Sequence, residues 1–187
     1  MIMYLKLLTV ARTCYRNHDL KTMMQMNPGR RRIGKEQALQ KLKHYCGYQE
    51  RSHVEAREKL YSFGLYKQEV EECISRLIEE DYLNEERFAM AYAGGKFRMK
   101  KWGRNKIKQA LKERRVSDYC IKKSLNEIDA KQYDETLIKL ATDKWNSLRA
   151  EKNVFVKLRK TQDYLLQKGF ESNLVSHAVQ SAKGADA

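Results

Sequence analysis

The chain has almost nothing that breaks a helix: one proline, Pro28, and nine glycines in 187 residues. Beyond position 28 no residue lacks a backbone N–H, so nothing of that kind forces a helix to stop. Cysteine is sparse too. Cys14, Cys46, Cys73 and Cys120 form no C-x-x-C pair, which excludes a disulfide framework or zinc knuckle and fits reduced thiols in the cytoplasm. Cys14 lies near His18, and His44 near Cys46, but isolated pairs do not make a ligand set. No apolar run reaches about eighteen residues, so no membrane-spanning helix is expected. The opening MIMYLKLLTV has no basic flank ahead of it and no small-residue cleavage site, so it does not read as a signal peptide. Also missing are a glycine-rich phosphate loop, a nucleophile elbow and a metal-spaced His and carboxylate pair. The reading is a protein that is not an enzyme, with no catalytic residue, metal or cofactor.

Acid is short relative to base. Thirty-eight Lys and Arg stand against twenty-four Asp and Glu, a formal charge of +14. Such a balance predicts a polyanionic partner, nucleic acid or a nucleoprotein. The plainer alternative is a solvated surface kept for solubility.

What fills the chain instead is Glu, Lys, Leu, Arg and Gln, the composition of an all-α protein. An apolar register returns three times. With Gly64, Arg115 and Gly169 as equivalent points, Leu60, Leu111 and Leu165 stand four positions earlier. Val70, Ile121 and Val175 follow six positions later; Ile74, Leu125 and Val179 follow at ten; Leu77, Ile128 and Ala182 at thirteen. These spacings trace one face of a helix. Anchors 51 and 54 residues apart mark a repeated unit whose copies share buried surface. Function then belongs to a surface of the array.

The division expected is an N-terminal extension over 1–34, repeats over 35–83, 84–129 and 130–182, and a tail over 183–187. Residues 1–34 match no repeat; they read as a disordered extension, with Met26 as an alternative start. In the first repeat, helices run over about 35–46, 52–64 and 67–80, with Leu39, Leu42, Tyr45, Ala56, Leu60 and Phe63 inward. Ser52 and Glu55 spell a capping box. The second takes about 84–100, 103–114 and 117–128, started by Asn84 and Ser117. The third takes about 133–148, 151–168 and 171–182, with Leu137, Leu140, Ala141, Trp145, Val154, Leu158 and Leu165 inward.

Charge is uneven. From Gly94 to Lys123 twelve bases face only Glu113 and Asp118, a net +10, whereas Lys67 to Arg87 is net −5. With Ile107, Ala110 and Leu111 inward, Arg104, Lys108, Lys112 and Arg115 fall on one flank, a ridge about 16 Å long. Arg57, Lys100 and Lys101 flank it. A ridge of this kind follows a phosphate backbone or an acidic groove. Trp102 and Tyr92 lie near it, either as stacking residues or as core aromatics. Base-specific readout by a helix-turn-helix is disfavoured, because the helix after Gly64 reads KQEVEECISRLIEED and phosphates repel it.

EEDYLNEERFA (79–89) resembles the hallmark joining the first two units of the RecX family, bacterial regulators of the RecA recombinase. WGRNKIKQALKERRV (102–116), RSHVEAREKLYSFGL (51–65) and QDYLLQKGF (162–170) are similar to its second, first and third units. The resemblance covers about residues 35–182. It implies three tandem three-helix repeats in an elongated, curved array. It also implies a cytoplasmic, monomeric protein that lies in the groove of the RecA filament on single-stranded DNA and damps ATP hydrolysis, strand exchange and repressor cleavage. Weak direct binding to DNA is compatible with it; a general nucleic-acid-binding repeat protein, or a scaffold for an acidic protein, is the alternative. The chain departs from the pattern at Arg115, where the family usually has glycine, so that turn is expected either to be left-handed at a cost of about 1 kcal/mol or to differ.

Overall fold

The computed structural model describes residues 32–184, which contain nine helices and no strand. They are α1 (Lys35–Tyr48), α2 (His53–Ser62), α3 (Lys67–Glu79), α4 (Glu85–Lys100), α5 (Arg104–Glu113), α6 (Asp118–Asn126), α7 (Ala130–Ser147), α8 (Val154–Lys168) and α9 (Ser172–Gly184). The expected extension up to Arg31, including Met26, Cys14 and His18, lies outside the described residues, as do positions 185–187. The helices form three tandem three-helix repeats. Within the first, α2 packs on α3 and α1 on both; in the second α6 packs on α4 and α5; in the third all three helices touch one another.

Local chemistry sets the boundaries. Ser52 and Glu55 close the capping box at α2: Ser52 Oγ accepts from the Glu55 N–H at 3.2 Å, and the Glu55 carboxylate accepts from the Ser52 N–H at 3.1 Å. Asn84 caps α4 through the Arg87 N–H at 3.0 Å, and Ser117 caps α6 through the Cys120 N–H. Two starts differ from the sequence reading. Asp129 accepts from the N–H groups of Lys131 and Gln132, so α7 begins at 130 rather than near 133. Asn153 accepts from those of Phe155 and Val156, so α8 begins at Val154 rather than near 151. Val154 then sits in the first turn, beyond the core, and is 44% exposed rather than inward.

Of the twelve register positions all are buried except Leu125, which is half-buried against the core. Each fully buried leucine or isoleucine among them contributes about 1.5–3 kcal/mol. Tyr45, Phe63, Leu140 and Leu158 are half-buried. The three anchors all adopt the left-handed conformation, with φ +82° at Gly64, +56° at Arg115 and +91° at Gly169. The middle turn therefore keeps the geometry of its neighbours despite its side chain. Arg115→Gly should raise unfolding stability by about 0.5–1 kcal/mol, since a side chain at positive φ costs about 1–2 kcal/mol, offset in part by the freedom glycine adds to the unfolded chain. Urea titration of the pair checks this, and an unchanged or lower midpoint would refute it.

The repeats join in two different ways. The second and third share one apolar core that runs from Phe88 and Ile107 through Tyr133 to Val179. The first has its own, built on Leu39, Leu42, Leu60, Val70 and Leu77. The contacts that fasten the first repeat to the second include ion pairs: Arg87 of α4 grips Glu50 and Asp81, and Arg114 stands 3.8 Å from Glu55.

Candidate functional site

The sequence places net negative charge on α3 and net positive charge on the middle repeat, and the fold treats the two differently. Acids of α3 are matched at home: Glu69 with Arg32 at 2.7 Å, Glu72 with Lys35 at 2.9 Å, Glu71 with Arg57 at 2.9 Å. Lys43 pairs with Glu80, and Arg76 with Glu36. Much of the acidity in repeat one is thereby cancelled inside the unit.

The middle repeat keeps more of its charge outward. Ile107, Ala110 and Leu111 bury one side of α5, as the spacing predicts, and leave Lys108 and Lys112 exposed on the other. Arg115, at the left-handed turn, is exposed as well. Lys112 stands 3.4 Å from Asp118; both side chains are solvated, so the pair contributes little. Lys100 ends α4 and Lys101 is its left-handed cap, φ +54°; both are exposed.

Arg104 and Arg57 are placed differently. The Arg104 guanidinium lies 4.0 Å over the Tyr133 ring and 3.7 Å from Glu171, turned toward the third repeat. Arg57 makes two hydrogen bonds to Glu71, at 2.9 and 3.0 Å. That contact draws the Glu71 carboxyl below, and the Arg57 guanidinium above, their ordinary ranges. Both arginines have internal partners and stand apart from Lys108, Lys112 and Arg115, which are exposed.

Arg104 belongs to a seam that sequence reasoning missed. The start of α5 meets the end of α8: the Gly103 N–H donates to the Lys168 carbonyl at 2.9 Å, and the Asn105 N–H to the Gly169 carbonyl at 3.0 Å. The Arg104 N–H donates to the Tyr133 hydroxyl at 3.0 Å, which donates in turn to Glu171 at 2.6 Å. Burial, and then the Glu171 carboxylate, push the Tyr133 phenol well above its ordinary range, so it stays protonated. Orphan donors of one helix are thus answered by orphan carbonyls of another. The approach requires glycine on both sides. A Cβ on Gly103 would stand 2.3 Å from the Gly169 carbonyl, and one on Gly169 2.3 Å from the Lys106 Cβ.

Trp102 and Tyr92 are half-buried against the shared core rather than free for stacking. Lysines cover their faces: Lys96 lies 5.0 Å from the Tyr92 centroid and 5.3 Å from that of Trp102, and Lys106 lies 5.0 Å from Trp102. Cys46, Cys73 and Cys120 are free and buried; burial pushes the Cys46 thiol up to about 11, which leaves it a poor nucleophile. Among the described residues no group of three potential ligands is placed to hold a metal ion, and no helix is long and apolar enough to cross a membrane.

Two family models match: RecX, second three-helix domain, over residues 84–125, and RecX, third three-helix domain, over 132–179. The regulatory protein RecX of Clostridium perfringens (strain 13 / Type A) is 34% identical over 127 residues, which is 67% of this chain and 59% of that protein. The regulatory protein RecX of Clostridium botulinum (strain Eklund 17B / Type B) is 30% identical over 129 residues, 68% of this chain and 60% of its own length. The chain therefore matches about three fifths of these relatives' length. In fold it is similar to the crystal structure of RecX from Lactobacillus salivarius, with a TM-score of 0.71 at 23% identity, covering 80% of this chain and 96% of that one. Matched segment by segment in its second and third units, and carrying the same all-α repeat fold, the chain belongs to the RecX family.

Proposed function

We propose that this chain is a non-enzymatic modulator of the RecA recombinase, acting as a cytoplasmic monomer. It binds in the groove of the RecA filament on single-stranded DNA and inhibits ATP hydrolysis, strand exchange and repressor cleavage. The observation that supports the reading most is the contrast in charge: the first repeat neutralises many of its acids internally, while Lys100, Lys101, Lys108, Lys112 and Arg115 are exposed on the middle one. A polyanionic filament groove fits that row. Arg104 and Arg57 support the fold behind it, through Glu171 and Glu71.

Each exposed contact adds little by itself, but a row adds up and is salt-sensitive. Changing Lys108, Lys112 and Arg115 to Glu should leave helicity intact and abolish inhibition of filament ATPase. Inhibition that persists in the folded variant would remove the ridge from the reading. A general nucleic-acid-binding protein would bind naked DNA as tightly as the filament; the recombinase reading expects binding to naked DNA to be the weaker of the two.

A further inference from the structure

Six aromatics are followed four residues on by a lysine, and in three of these pairs the ring is half-buried against the core shared by the second and third repeats: Tyr92 and Lys96, Trp102 and Lys106, Tyr164 and Lys168. In each of these three the ammonium lies over the ring, at 5.0, 5.0 and 5.6 Å. Lys144 reaches Tyr164 from 5.5 Å. The two repeats are bridged as well. Lys106 donates to the Gln167 carbonyl at 3.0 Å, and Lys168 to the Lys100 carbonyl at 3.4 Å. All three rings are half-buried against the shared core. Four ammonium groups are therefore held on a stiff backing along a row that crosses from the second repeat to the third.

Packing explains part of this. In the first repeat Lys41 lies on Phe63, at the positions that Tyr92 and Arg114 occupy 51 residues later, where Arg114 lies on Tyr92. The contact staples the first helix of a unit to the second. Packing does not explain the lack of counter-ions. Among the described residues no carboxylate lies within 4.0 Å of Lys96, Lys106, Lys144 or Lys168, whereas Lys43 and Arg57 each have one and Arg76 and Arg87 two. Half-buried cations of this kind gain most from an external anion.

We propose that this row is a track for the sugar–phosphate backbone of a nucleic-acid strand. All four cations are lysines, point charges that accept a phosphate without a fixed approach. Where the geometry of one of the chain's own carboxylates is fixed, as at Glu71, it is the Arg57 fork that meets it, through two nitrogens. Because lysines lie over the rings, bases do not stack on them, and the track reads charge without reading sequence. The inference goes beyond the recombinase reading and is measured by a different assay.

The experiment is fluorescence anisotropy of the full chain with labelled oligo(dT) across a salt series. The set Lys96→Gln, Lys106→Gln, Lys144→Gln and Lys168→Gln should weaken binding by at least about tenfold and reduce the salt slope by about 2–3, at roughly 0.7 for each single-strand phosphate released. The same four positions changed to Arg should retain binding, and oligo(dC) should bind as oligo(dT) does. A folded Gln variant that binds oligo(dT) like the parent overturns the proposal. So does poly-glutamate that displaces the oligonucleotide charge for charge, since an acidic protein is then the occupant. Should the fourfold variant fail to fold, Lys106→Gln and Lys144→Gln alone should each lower the slope by about 0.7, and unchanged slopes overturn the proposal. Filament ATPase, read separately, reports on the ridge and not on this track.

Discussion

Gly103→Ala should lose about 3 kcal/mol of stability and on the order of 10 °C in Tm. The backbone at Gly103, φ −76° and ψ 165°, is open to any residue, so conformation contributes almost nothing to the loss. Contact does. The new methyl would stand 2.3 Å from the Gly169 carbonyl carbon and oxygen and from the Phe170 nitrogen, all main-chain atoms. To admit it, α5 must separate from the end of α8, breaking the bonds from Gly103 to Lys168 and from Asn105 to Gly169. Gly95→Ala is the matched control. It lies inside α4 with nothing within 4 Å of a new Cβ, and should stabilise by about 0.5–1 kcal/mol. Calorimetry on both variants decides the matter; equal Tm values would show that the seam is slack.

Tyr133→Phe should cost about 2 kcal/mol, measured by denaturant titration. The ring stays, packed 5.6 Å from Phe97 and 5.1 Å from Phe170 by centroid, so no cavity opens. What goes is a hydroxyl that serves two partners. The Arg104 N–H loses its acceptor, and Glu171 loses a donor at 2.6 Å. Unpaired buried groups cost about 1–3 kcal/mol. Glu171→Gln should cost less, because the amide still accepts from the phenol. The double variant should fall short of the sum, since both changes break one network. A loss under about 0.5 kcal/mol for Tyr133→Phe would show that the bridge contributes nothing.

The repeat was legible because its signal is local. Apolar positions four, six, ten and thirteen residues from each anchor need only helix geometry to be read, and the caps at Ser52, Asn84 and Ser117 need only their own next turn. The left-handed turn at Arg115 follows from its place between Gly64 and Gly169. Val154 was misread because periodicity marks a face without saying where the helix begins; Asn153 starts it too late for that residue to reach the core. The seam was not legible at all. It joins Gly103 to Gly169 and Arg104 to Tyr133, and no periodicity in either segment announces its partner. The ridge was read on the right helix face for Lys108 and Lys112. Arg104 shares that flank, yet Tyr133 and Glu171 approach it from another repeat. The ring-backed lysines carry a pattern, an aromatic followed four places on by lysine, that recurs at Phe63, Phe97 and Tyr119, so the sequence alone does not single them out.

Two modes of joining have a mechanical consequence. Oil and main-chain bonds fuse the second and third units into one stiff lever. The first is moored in part by ion pairs, such as Arg87 on Glu50 and Asp81 and Arg114 beside Glu55, whose side chains are partly exposed and therefore open to screening by salt. Added salt therefore acts on the joint between the first unit and the second, and leaves the apolar joint between the second and third untouched.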